Sequence, residues 1–116
     1  MSPKKILTIG EPLLRTVSHP VKKFDARLGM IVRDMAETMY NADGVGLAAP
    51  QIGLMRRIIV IDAGEGMRAY INPEIVDTQG EVSMNEGCLS VPGRRGCVTR
   101  PETVTVRAQD TKGKHF

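Results

Sequence analysis

The clearest periodicity in the chain lies over residues 25–41. Leu28, Ile31, Val32, Met35 and Met39 recur at the i, i+3, i+4, i+7, i+11 spacing of one apolar helical stripe. Arg33, Asp34, Glu37 and Thr38 fall on other faces. Asp25 stands ahead of the pattern as an N-cap, and Asn41 and Gly44 supply the stop. The spacing predicts one long helix over 25–41. Its two methionines read as core, because an unbranched thioether fills irregular gaps between elements.

From residue 57 the period changes. Residues 57–62 form a run of β-branched side chains, which predicts a well-buried strand. Residues 63–66 are a glycine turn. A second strand covers 68–72 and is closed by Pro73, and a third begins at 74–78, with Gly80 as punctuation. Residues 92–96, Pro-Gly-Arg-Arg-Gly, read as a loop. Residues 102–110 alternate, with Val104, Val106 and Ala108 on one face, which predicts a half-buried strand. Residues 110–113 are a hairpin turn, and Lys114, His115 and Phe116 begin the return strand. At the N-terminus, residues 6–9 are a short apolar run. Residues 11–15 read as a single helical turn with Pro12 in its first turn, and His19 before Pro20 reads as loop.

These elements predict an α+β fold, with one long helix packed against a mostly antiparallel sheet. They make one domain over residues 1–116. A hairpin needs a second strand longer than three residues, so the pattern predicts a fold continued beyond Phe116, the C-terminal part being absent here.

Composition narrows the classes. The 116 residues are 41% hydrophobic and 25% charged, as in a soluble globular domain. With no Trp, two Phe and two Tyr, the core must come from Ile, Leu, Val and Met. The formal charge of +3 is small and not gathered into a run, which argues against a specific nucleic-acid binder, and the chain lacks stacking platforms for single strands. No stretch approaches the length of a membrane span, and nothing near the N-terminus has the apolar core of a signal peptide. The expected location is cytoplasmic, where Cys88 and Cys97 are thiols rather than a disulfide.

Two stretches carry candidate chemistry. Residues 44–51, Gly-Val-Gly-Leu-Ala-Ala-Pro-Gln, have little side chain above the backbone, so another backbone or a ligand can come close. They end on one amide, Gln51, able to donate hydrogen bonds. About 40 residues further on, residues 86–90 read Glu-Gly-Cys-Leu-Ser. Cys88 alone could be a nucleophile, a metal ligand or core, and as a bare cysteine the core reading is the strongest. A nucleophile would need a histidine base, and the chain has two histidines, His19 and His115, neither in a supporting context. As a ligand, Cys88 is one donor where a catalytic site takes three.

The two motifs together, GxGLAAxQ and EGCLS in this order, resemble those of the peptide deformylases, over nearly the whole chain from about residue 6. The family's third motif, HExxH, does not occur in these residues. The resemblance implies hydrolysis of the N-formyl group from the formyl-methionine of newly made proteins. It implies an Fe²⁺ cofactor, replaceable by Zn²⁺, Ni²⁺ or Co²⁺. Cys88 becomes the thiolate metal ligand, and Gln51 and the Leu89 backbone N–H become oxyanion donors. Gly44, Val45, Gly46, Met84 and Arg95 become substrate contacts, with Gly46 pairing to the peptide in strand fashion. Glu86 is matched to a structural pair with Arg100. The implied partners are N-formyl-methionyl nascent peptides near the ribosome. A monomer is expected for the complete fold, with no membrane and no specific nucleic acid. Without the HExxH segment, the 116 residues are expected to be inactive. Two alternatives are a non-catalytic deformylase-like protein that binds N-terminal peptides, and a basic RNA-binding module using Arg94, Arg95, Lys112 and Lys114. The latter ranks last, because scattered cations are usually a solvated face.

Overall fold

Asp25 caps a helix close to the expected length. The structure, a computed structural model, describes the backbone of residues 4–8, 17–88 and 91–116, and their side chains except over 84–98. Helix α1 spans Ala26–Asn41. The Asp25 carboxylate accepts the Leu28 N–H at 3.2 Å, satisfying one orphan donor of the first turn. Leu28, Val32, Met35, Ala36 and Met39 form the buried stripe. Thr38 was assigned to an outer face and is instead buried. Its hydroxyl donates to Asp34 O and accepts the Lys4 N–H, both at 2.7 Å, because the N-terminal segment crosses the helix there. The stop also differs from expectation. Asp43, rather than Asn41 or Gly44, takes the left-handed conformation, with φ +55°. The Gly44 N–H then reaches Met39 O and the Asp43 N–H reaches Tyr40 O, a Schellman closure.

Among the described residues six strands follow: β1 Gly46–Ala48, β2 Ile58–Ile61, β3 Arg68–Gln79, β4 Val82–Cys88, β5 Val91–Arg100 and β6 Thr103–Gln109. A four-stranded sheet has the order β1-β2-β3-β6, and β4 pairs with β5 as a separate ribbon. Every ladder is antiparallel, so the α+β expectation holds. The core lies between α1 and the sheet, where Met35, Met39, Val60 and Ile71 are fully buried. Aliphatic and methionine side chains fill it, as the scarcity of aromatics requires.

The alternating strand β6 is half-buried as expected, covered at Ala108 while Val104 is 46% exposed. Three local expectations change. The run at residues 57–62 predicts a well-buried strand, yet β2 buries Ile58 and Val60 and exposes Ile61, since only one face meets α1. Residues 92–96 lie within β5 rather than in a loop. The register jumps there from Gly87↔Arg95 to Cys88↔Val91, so residues 92–94 have no partner on β4. Finally, Pro73 does not end a strand, and β3 runs through it for 12 residues. A bulge between Ile71 and Glu74 removes the need for a proline N–H in the ladder. The turn predicted for 110–113 forms, with Gly113 at φ +86°, and Phe116 exchanges both backbone bonds with Ala108. Residues 9 and 11–15, part of the predicted apolar run and the predicted helical turn, lie outside the described residues.

The bulge is built on Asn72, a non-glycine residue at φ +52°. Its side chain accepts the Val21 N–H at 2.7 Å and donates to Val21 O and Gln109 Oε1, each at 2.9 Å. Asparagine tolerates this backbone region better than most residues. Asn72→Ala strands three partners and adds left-handed strain, so a loss of about 2–3 kcal/mol is expected in urea unfolding. Asn72→Gly relieves the strain alone and should recover only the smaller part.

Candidate functional site

The edge of the sheet is the candidate site. Among the described residues β1 has β2 as its only strand partner. The register is Gly46↔Ile61, Leu47↔Val60 and Ala48↔Ile59. The Asp62 N–H donates to Val45 O at 2.8 Å. Antiparallel alternation then sends the backbone groups of Val45 and Leu47 toward β2, and those of Gly46 and Ala48 toward the open side. Leu47 is buried in the core, whereas Val45 is 67% exposed. Gly44, a predicted contact, has its N–H committed to the helix closure.

Gln51 follows on a 3-10 turn over Ala49–Ile52, with Pro50 in its first turn and Gly53 ending it at φ +85°. The outward Ala48 N–H donates to Gln51 Oε1 at 2.9 Å. This fixes the amide: its oxygen is held by the strand, and its other arm is a donor –NH₂. Leu7 N–H donates to Gln51 O, so the N-terminal segment holds the turn from behind.

Gly46 is not demanded by the chain's own packing. Its φ is not positive, and an added Cβ would meet only Val60 O at 3.7 Å and Ile61 Cγ1 at 4.0 Å, ordinary contacts. Gly46→Ala should therefore fold with a melting temperature within about a degree of the parent, by its freedom from clash and its lower unfolded-state entropy. If a peptide strand is seated there, its affinity falls about tenfold, the usual scale for one displaced hydrogen bond. Calorimetric titration with a formyl-methionyl peptide measures this.

Beside the edge, Asp62 closes β2. Its carboxylate accepts the Tyr40 hydroxyl and, at 2.9 Å, the Gly64 N–H. The Tyr40 bond, then the backbone bond from Gly64, hold the Asp62 carboxyl below its usual 3.8. The same bond, from the other side, raises the Tyr40 phenol above its usual 10.0. A depressed carboxyl adds stability above its unfolded value that is lost as pH falls through the folded value, and a raised phenol adds stability that is lost as pH rises through the folded value. The melting-temperature difference between parent and Tyr40→Phe should be flat between about pH 4 and 10 and shrink on both sides. Neither residue was singled out from the sequence. The signal for Asp62 was present, since Asp-Ala-Gly after a β-branched run is an Asx-type turn.

The second motif ends β4. Cys88 pairs in register with Val91, Gly87 with Arg95, Glu86 with Gly96 and Met84 with Val98. The ladder places Arg100 opposite Val82, four residues from the partner of Glu86. The side chains of Met84, Glu86, Cys88 and Arg95 and all of Leu89 lie outside the described residues. Among the described residues no three His, Cys, Asp or Glu side chains gather into a group that could hold a metal ion. Cys88, the donor that the second motif offers, is not among those side chains. No helix among them is long and apolar enough to cross a membrane. A cleft of about 610 Å³ lies elsewhere, between α1 and the 110–116 hairpin, lined by Val32, Arg68 and Phe116 among others. It shares no residue with the sheet edge, and ligand chemistry is better argued at the edge, where open backbone groups converge with Gln51.

Helix, sheet and ribbon define an α+β domain whose glycine-bearing edge strand β1 has one strand partner among the described residues. Residues 3–116 match the profile of the polypeptide deformylases. The chain is 52% identical over 116 residues to peptide deformylase 1 of Clostridium acetobutylicum, covering 100% of this chain and 77% of that protein. It superposes on the crystal structure of peptide deformylase from Thermotoga maritima with a TM-score of 0.98 at 41% identity, covering 100% of this chain and 80% of that one. For the enzyme from Legionella pneumophila the TM-score is 0.95 at 47% identity, covering 99% and 70%. The chain belongs to the polypeptide deformylase family, hydrolases of protein biosynthesis.

Proposed function

We propose that this chain receives the N-terminus of a nascent N-formyl-methionyl protein along β1 and takes part in removing its formyl group. The observation that carries the reading is Gly46. Its backbone groups face the open edge, no internal contact requires a glycine there, and the Gln51 amide stands at the end of the same edge. An extended peptide added to that edge is held by main-chain hydrogen bonds. Val45 and Met84 flank it, Gly44 leaves room at its entry, and Arg95 contacts it beyond its first residues. The Gln51 –NH₂ and the Leu89 N–H donate to the formyl oxygen as it gains negative charge. Cys88 is this chain's donor to the family's divalent ion, Fe²⁺ or in its place Zn²⁺, Ni²⁺ or Co²⁺. The setting is cytoplasmic and near the ribosome, and the complete fold works as a monomer.

The test is formate release from a formyl-methionyl peptide after anaerobic loading with Fe²⁺ or Ni²⁺. Residues 1–116 alone are expected to show no turnover, and the same residues extended through an HExxH segment are expected to turn over. Turnover by 1–116 with one tightly held ion per chain would place the remaining donors elsewhere, such as on a second copy. A silent extended form that still binds the peptide would favour the non-catalytic alternative.

A further inference from the structure

The geometry points to Tyr40 and Asp62 as positioning residues that set where β1 presents Gly46. The inference rests on the reading of β1 as a peptide-receiving edge. Strand β1 is three residues long and has one neighbour among the described strands, so little holds it in place. Its leading end is nonetheless clamped twice. On the helix side, Asp43 and Gly44 donate to Tyr40 O and Met39 O, fixing the direction in which the chain leaves α1. On the sheet side, the Asp62 N–H holds Val45 O, one residue before Gly46.

One contact joins the two clamps. Asp62 Oδ2 accepts the Tyr40 hydroxyl while Oδ1 accepts the Gly64 N–H. Gly64 and Gly66 stand at φ +106° and +97°, which lets the turn fold back over the carboxylate. The last turn of α1, the end of β2 and the start of β1 are thereby tied at a single side-chain pair. Tyr40 is 49% exposed and lies outside the core cluster. Its hydroxyl therefore contributes position at the edge rather than core packing. Neither residue touches the proposed peptide, because Tyr40 and Asp62 act through the backbone of Val45.

Amide hydrogen exchange and peptide titration of ¹⁵N-labelled 1–116 test this, with N-formyl-Met-Ala-Ser as the probe. In Tyr40→Phe the Asp62 amide should exchange about tenfold faster, the scale of one lost hydrogen bond to a charged group, while the Ile71 and Met35 amides keep their protection. The peptide dissociation constant, followed at the Gly46 amide, should rise about three- to tenfold. Asp62→Asn keeps one oxygen for the Gly64 N–H and turns its –NH₂ toward the Tyr40 oxygen, which can accept, so the tie persists with its direction reversed and most of the parent behaviour should be retained, whereas Asp62→Ala loses both bonds. Should Asp62→Ala fail to fold, Tyr40→Phe and Asp62→Asn decide. Unchanged exchange and affinity in Tyr40→Phe overturn the inference, and so does equal loss of protection at Asp62 and in the core. If the parent gives no shift at Gly46 while Tyr40→Phe selectively loses Asp62 protection, the latch stands and the peptide reading falls.

Discussion

Replacing Gln51 by Leu is expected to lower kcat of a metal-replete form, extended through the HExxH segment, by about 10²–10³-fold, the usual loss for one oxyanion donor. Metal content should not change, since the amide is not a ligand in this reading. The structure adds a sharper variant. Gln51 Oε1 accepts the Ala48 N–H, so leucine also strands a strand donor. Gln51→Glu keeps an oxygen for Ala48 and replaces the –NH₂ by a second acceptor, which repels a developing negative charge. It should lose at least as much activity as Gln51→Leu. A Gln51→Glu enzyme with parental kcat would show that the residue is a strut for the edge and no donor.

Cys88→Ala is expected to abolish both bound metal and formate release in the same extended form, while Cys97→Ala costs only modest stability. The ribbon register separates the two thiols: Cys88 ends β4 opposite Val91, and Cys97 lies mid-strand opposite Asn85. Of the two, only Cys88 belongs to the Glu-Gly-Cys-Leu-Ser motif. A thiolate ligand is hard to replace, because the ion needs three protein donors and an open position. Metal analysis by atomic emission decides the matter, and equal metal in Cys88→Ala and parent would remove Cys88 from the site.

Features governed by neighbours in sequence were legible. The stripe of α1, its Asp25 cap and the turn at 110–113 each follow from residues a few positions apart. Features set by distant partners were not. Thr38 looked solvent-facing because its partner Lys4 lies 34 residues earlier in the chain. Pro73 looked like a strand end because nothing local announces that Asn72 adopts a left-handed bulge bonded to Val21 and Gln109. The candidate site divides along the same line. The glycine-rich stretch and Gln51 drew notice as an unusual run of small residues before an amide. That Gly46 faces an open edge, and that Gln51 holds Ala48, required the register of β1 on β2. The role proposed for Cys88 rests on its motif, since no spacing of donors in these residues makes a metal set.

Asn72 also bears on the order in which the chain folds. Its partners lie 51 residues before it, at Val21, and 37 after it, at Gln109. Closing loops of that size delays such contacts relative to the α1 turns and the β2–β3 hairpin, which form from neighbouring residues. The Asn72 bonds should therefore be largely absent at the folding barrier, giving a φ-value near zero. In stopped-flow chevrons, Asn72→Ala is expected to leave the refolding limb almost unchanged and to shift the unfolding limb upward by nearly the whole stability loss. The residue that holds three distant segments together thus governs how long the native state lasts, and has little part in how fast it is reached.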